Sequence, residues 1–144
     1  MDLGVKGKTA LVLASSRGLG QAMAVALARE GVKVAVTGRN AEGLQQTVQM
    51  IEAMGGKALA LNWDLANLDS VDNHIQQVES RLGPIDILIN NTGGPPPTSA
   101  TGQDPQLWQK SFNEMVLSLM AITDRVLPGM RERKWGRVIT STTS

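Results

Sequence analysis

Short apolar runs alternate along this chain with stretches whose apolar positions recur every three or four residues. Residues 8–14, "KTALVLA", form a near-continuous apolar run and read as a buried strand. Residues 18–31, "GLGQAMAVALAREG", read as a helix with a small-residue face and Gly31 as its C-terminal stop. The run "VKVAVTG" is a second strand. "AEGLQQTVQMIEAMGG" is a second helix, with Leu44, Val48, Ile51 and Met54 at helical spacing. "KALALNWD" is a third strand. "SVDNHIQQVESRLG" is a third helix, with Val71, Ile75, Val78 and Leu82 on one face. "IDILINN" is a fourth strand, residues 104–132 are a long helix rich in Met and Leu, and "GRVITST" is a fifth strand. Near-continuous apolar strands are those covered on both faces. The alternation therefore predicts an α/β fold: a doubly wound parallel sheet of five strands with right-handed crossovers, in one domain over residues 1–144.

One segment breaks the pattern. In residues 92–102, "TGGPPPTSATG", ten of eleven are Thr, Gly, Pro or Ser. A flexible connector has this composition. Its place, after a strand and before a helix of the same layered unit, favours a functional loop, because ligands of open α/β sheets bind at the carboxyl ends of strands.

Composition narrows the function by exclusion. Fourteen basic and 13 acidic residues leave a net charge of +1, which gives no reason to expect a nucleic-acid or anionic-membrane partner. With no cysteine and one histidine, disulfides and a transition-metal site are not expected. The start "MDLGVKGK" has no apolar segment of secretory type, and no run approaches the ~20 apolar residues needed to span a bilayer. A cytoplasmic location is the resulting expectation. His74 reads as a surface residue beside an apolar stripe. Trp63, Trp108 and Trp135 read as packing residues, with Trp63 also placed where it could flank a base.

The candidate chemistry sits at the ends of the strands. In "ALVLASSRGLG" a strand runs into Gly18-Leu19-Gly20 and then a helix. Backbone N–H groups from Ser16 to Leu19 and the positive end of that helix suit a dinucleotide pyrophosphate, with Ser15 and Ser16 adding small side chains and hydroxyls. Glycine at 18 and 20 allows a tight turn and a close helix–strand approach. At the end of the second strand, NAD sites carry an acid that accepts from the ribose hydroxyls. Here Gly38 and Arg39 stand instead. A guanidinium binds a 2′-phosphate, and Arg17 is near enough in the pattern to help, so NADP(H) is expected in preference to NAD(H). Asp64 ends the third strand, where it could accept from an adenine amino group or cap a turn. Asn90 and Asn91 end the fourth, where buried amides must be paired: they knit strand ends together, touch the cofactor, or both.

Together these segments resemble the short-chain dehydrogenases/reductases. "LASSRGLG" resembles that family's Thr-Gly-x-x-x-Gly-x-Gly loop, "WDLAN" its adenine turn, "NNTGG" its Asn-Asn-Ala-Gly motif, and "WGRVITSTTS" the strand bearing its catalytic serine. The likeness runs through the whole chain in order and is greatest to the ketoacyl-reductase-like branch. It implies a Rossmann-type fold and hydride transfer between a nicotinamide and a small carbonyl or alcohol substrate. It adds Leu65 and Gly93 to the cofactor-binding set, and implies a dimer or tetramer through helix 104–132. In the family a tyrosine, assisted by a lysine, moves a proton at the substrate oxygen, and a serine hydrogen-bonds the same oxygen. Negative charge grows on that oxygen as hydride arrives, so donors must be in place.

The sequence departs from the pattern in four places. Ala14 stands where the first glycine belongs, harmless if its dihedrals are ordinary β values. Met115 stands seven residues after Trp108, where the family has an asparagine supporting a water relay. Methionine cannot hold such a water, and Asn113 lies on another flank of an α-helix. The catalytic hydroxyl falls ambiguously on Thr143 or Ser144. Finally, there is no tyrosine anywhere in the 144 residues. The expectation is the cofactor-binding half of a longer enzyme, inactive alone, with helix 104–132 covered by a second copy or by the other half. The alternative is a non-catalytic NADP(H)-binding module or an inactive fragment.

Overall fold

A computed structural model of the protein describes residues 1–142. Five parallel strands form one sheet: β1 (Thr9–Val12), β2 (Lys33–Gly38), β3 (Ala58–Asn62), β4 (Ile87–Asn90) and β5 (Arg137–Thr140). Their order across the sheet is β3-β2-β1-β4-β5. Val12 lies opposite Val36 on one side and Ile89 on the other, so β1 is the centre of the sheet. The doubly wound parallel architecture read from the alternation is the one observed.

Each face of the sheet has its own apolar layer. Helices α1 (Gly18–Arg29) and α2 (Ala41–Glu52) cover one, packing Ala24, Val25, Leu44 and Ile51 against Val12, Val34 and Ile89. Helix α3 (Val71–Leu82), entered through a short 3₁₀ turn, and helix α5 (Ser118–Arg133) cover the other. They pack Ile75, Val78, Ile122 and Val126 against Leu11, Ala35 and Leu88. Alternate side chains of a strand point to opposite faces, which is why Leu11 and Val12 fall in different layers.

Local chemistry sets the ends of these elements. The Asn40 side chain caps α2 by accepting from Gly43 N at 3.0 Å. Gly31, at φ +82°, ends α1 where a side chain would be strained. Asp104 caps the long helix by accepting from Gln106 N at 2.8 Å, with Pro105 at its first position.

That long helix differs from the expected uniform one. Helix α4 (Pro105–Phe112) passes into a single wide π-type turn over Asn113–Leu117 and then into α5. Ser118 closes the wide turn. Its N–H donates to the Asn113 carbonyl, five residues back, and its hydroxyl donates to the Glu114 carbonyl at 2.6 Å. Ser118 is fully buried, so both groups need these partners.

Two side chains, His74 and Trp108, lie otherwise than their sequence reading, and Trp63 packs as read. His74 is half-buried and stacks on Trp63, ring centroids 4.4 Å apart. Burial lowers its pKa below the ordinary 6.5. Trp63 is packed in the core, and it does not line the cleft where a base would lie. Trp108 is 60% exposed, on a helix face shared with Phe112, Val116 and Met120. These positions are four residues apart, so they form one stripe, and no described element covers it.

Candidate functional site

At the carboxyl ends of β1, β2 and β4 the chain leaves the sheet toward opposite faces, and a cleft of about 540 Å³ opens between the departing loops. This is the switch point of the strand order, where open α/β sheets bind ligands. The loop after β1 lines it with Ala14 and Ser16 to Gly20, and the loop after β2 with Gly38, Arg39 and Asn40. Leu65 follows β3, and Asn91, Thr92 and Gly93 follow β4. Glu114 reaches in from the wide helical turn.

The loop after β1 is shaped by close contacts. A Cβ on Gly20 would overlap the Ala14 carbonyl, so only glycine lets α1 start this near the strand. Gly18 sits at φ +60° with open space around it. Arg17, extended at φ −163°, precedes the first turn of α1. No side chain caps that turn and no acid lies in it, so the positive end of α1 is left facing the cleft. Ala14 is not in ordinary β geometry: its φ is +49°, the left-handed region. The glycine of the related motif meets a real conformational demand there, and alanine carries the strain.

Ser15 lies behind the loop rather than in the cleft. It is fully buried, its hydroxyl donates to Val12 O at 2.8 Å, and it accepts from Thr37 N at 2.9 Å. Buried Thr47 of α2 donates to Ser15 O at 3.0 Å and accepts from Gln21 Nε2 at 2.9 Å. The loop is thus held from β2 and α2 while its front remains open.

The asparagines divide their tasks. Asn90 is buried and its Nδ2 donates to Thr123 Oγ1 at 3.2 Å, tying β4 to α5 away from the cleft. Its Oδ1 has no partner among the described residues. Asn91 Nδ2 donates to Leu13 O at 3.4 Å and Ala14 O at 3.3 Å, so it joins the ends of β4 and β1 and also lines the cleft. Asp64 is exposed, and its Oδ1 accepts from Ala66 N at 2.9 Å in a tight turn. It is not part of the cleft lining, whereas Leu65 beside it is. Thr143 and Ser144 lie outside the described residues.

The sequence reading does not count Gly38, Asn40, Thr92 and Glu114 among the cofactor-binding residues. The first three flank residues it names, and their proximity to the cleft follows from theirs. Glu114 has no such signal, because helical periodicity does not announce a π-type turn. Its Oε1 lies 3.5 Å from Arg39 Nη2. Asn113 does not replace the missing relay asparagine, since its Oδ1 accepts from Gln109 Nε2 at 2.9 Å along the helix. Met115 lies with Trp108, Phe112, Pro95 and Pro96 around a second, apolar hollow of about 390 Å³ beneath the proline-rich loop.

Residues 8–144 match the family model described as short chain dehydrogenase. The chain belongs to the short chain dehydrogenase family. The ketoacyl reductase HetN of Nostoc sp. is 39% identical over 133 residues, covering 92% of this chain and 46% of the relative. The 3-oxoacyl-[acyl-carrier-protein] reductase FabG of Pseudomonas aeruginosa is 31% identical, covering 95% and 56%. Among solved structures, L-sorbose reductase of Gluconobacter frateurii complexed with NADPH and L-sorbose superposes with a TM-score of 0.89. It is 30% identical and covered over 54% of its length, against 97% of this chain. The chain therefore spans about half the length of the relatives it matches. Among its described residues no helix is long and apolar enough to cross a membrane.

Proposed function

We propose that the protein is the cofactor-binding portion of an NADP(H)-dependent oxidoreductase acting on a small carbonyl or alcohol. The observation that carries this reading is the cleft itself. Its walls offer the uncapped positive end of α1, a glycine turn that a Cβ would close, and two arginines, with no acid at the end of β2. These residues fit a dinucleotide. Ser16 to Leu19 and the start of α1 would hold the pyrophosphate, Leu65 would lie against the adenine, and Arg17 and Arg39 would meet a 2′-phosphate. Asn91 and Gly93 would border the nicotinamide half. A bound nicotinamide supplies the hydride donor or acceptor.

What this chain contributes is placement. Asn91 holds the ends of β4 and β1 together, and Ser15 and Thr47 stiffen the loop from behind, so the binding groups are positioned before the ligand arrives. The proton-transfer tyrosine is proposed to come from sequence beyond these 144 residues, which contain none. Thr143 or Ser144 is proposed as the hydroxyl that bonds the substrate oxygen. The exposed stripe through Trp108, Phe112 and Met120 supports contact with a second copy or with that further sequence.

Titrating NADPH and NADH against the protein by fluorescence tests the cofactor reading. NADPH is expected to bind more tightly. Arg39→Asp is expected to weaken NADPH by about 2 kcal/mol, the scale of a hydrogen bond to a charged group, and to spare NADH. Equal affinities in the unaltered protein would remove the basis for an NADP(H) preference.

A further inference from the structure

The Arg39–Glu114 pair joins two walls of the cleft. Arg39 stands on the turn between β2 and α2, and Glu114 on the wide turn between α4 and α5. Strands β3 and β4 lie between the two positions in sequence, yet Nη2 and Oε1 lie 3.5 Å apart. Their environments differ. The Glu114 side chain is 14% exposed and that of Arg39 is 57% exposed. Among the described residues, Arg39 is the one cation within ion-pair distance of this mostly buried carboxylate.

Glu114 is also held firmly. The Ser118 hydroxyl takes its carbonyl at 2.6 Å, and the wide turn around it is closed by Ser118 N on Asn113 O. The carboxylate thus stands on a backbone turn held by these bonds and faces a largely exposed guanidinium. We propose that Glu114 is a selectivity-determining residue: it competes with the ribose 2′-phosphate of NADP(H) for Arg39 and so narrows the preference that Arg39 alone would create.

The physical reason is a difference between the two nucleotides. A 2′-phosphate approaching Arg39 must displace one anion and then remain near it. Like charges in a partly desolvated cleft repel. A ribose with a free 2′-hydroxyl brings no such charge. Selectivity is a difference of affinities, and a group that opposes one ligand alone sets it as effectively as a group that favours the other. Glycine at 38 leaves the usual strand-end position without a carboxylate, so in this chain the acid arrives from another element.

This inference rests on the NADP(H) reading above, and the experiment separates the two. NADPH and NADH dissociation constants are measured for the unaltered protein, Glu114→Gln, Arg39→Met and the double variant, with melting curves to confirm folding. Glu114→Gln is expected to tighten NADPH about fivefold, the effect of an accessible ion pair of about 1 kcal/mol, and to change NADH less than twofold. In the Arg39→Met background the same change is expected to have no effect on NADPH. Unchanged or weaker NADPH binding in folded Glu114→Gln, or equal changes for both nucleotides, overturns the proposal while leaving the cofactor reading intact. If the unaltered protein binds neither nucleotide, both fall. Should Glu114→Gln not fold, Glu114→Ala removes the charge without leaving an amide to be satisfied, and tighter NADPH binding is expected from it too; no tightening there overturns the proposal.

Discussion

Ser15 and Thr37 hold each other by two hydrogen bonds: Ser15 N donates to Thr37 O at 2.8 Å, and Thr37 N donates to Ser15 Oγ at 2.9 Å. Thr37 Oγ1 also accepts from Ala14 N at 3.2 Å. The exchange extends the β1–β2 pairing past the last regular residue of β1 and delivers the loop to the cleft in one conformation. Both residues are buried, so each lost partner leaves an unsatisfied polar group.

Ser15→Ala removes the acceptor for Thr37 N and the donor to Val12 O. It is expected to lower stability by about 1–3 kcal/mol, the cost of leaving a buried backbone group unpaired. Urea unfolding followed by circular dichroism checks this. A loss below ~0.5 kcal/mol would mean that water or a shifted loop replaces the bond.

Ala14→Gly should act in the opposite direction. The left-handed φ of +49° strains an alanine and suits a glycine. The variant is expected to gain about 1 kcal/mol after the greater entropy of glycine in the unfolded chain is counted. The denaturation midpoint reads it directly, and a fall in the midpoint would show that the alanine conformation carries no strain.

His74 couples stability to pH. Burial against Trp63 lowers its pKa from 6.5, so the folded protein binds fewer protons at this site than the unfolded chain. Its contribution is complete above about pH 6.5 and is lost as the pH falls through the folded value. Melting temperatures compared between pH 7.5 and 5.5 are expected to fall, and His74→Leu is expected to fall less over the same interval. Parallel curves for the two proteins would place the pH dependence elsewhere.

Periodicity alone carried the architecture. The run 8–14 and its counterparts at 32–38 and 85–91 are near-continuously apolar, and the intervening stretches repeat at helical spacing, so parallel strands with crossover helices were legible locally, although the fifth strand is exposed along its length. The same holds for the turn at Gly18 to Gly20, whose glycines stand together between a strand and a helix. Placement within the cleft was legible only where it follows from strand ends: Ser16, Arg17, Arg39, Leu65, Asn91 and Gly93 line it as the reading implies.

Tertiary structure decided what depends on partners far away in sequence. Ser15 and Asn90 turn inward because Thr37 and Thr123 are there to meet them. Ala14 takes a positive φ because the ends of β1, β2 and β4 all bond to its loop. Glu114 enters the cleft because one wide turn interrupts a helix whose apolar spacing reads as regular, and that turn is closed by the backbone N–H of buried Ser118. Pattern records which residues are buried. Which polar groups find one another is settled only when the strands have set the distances between them.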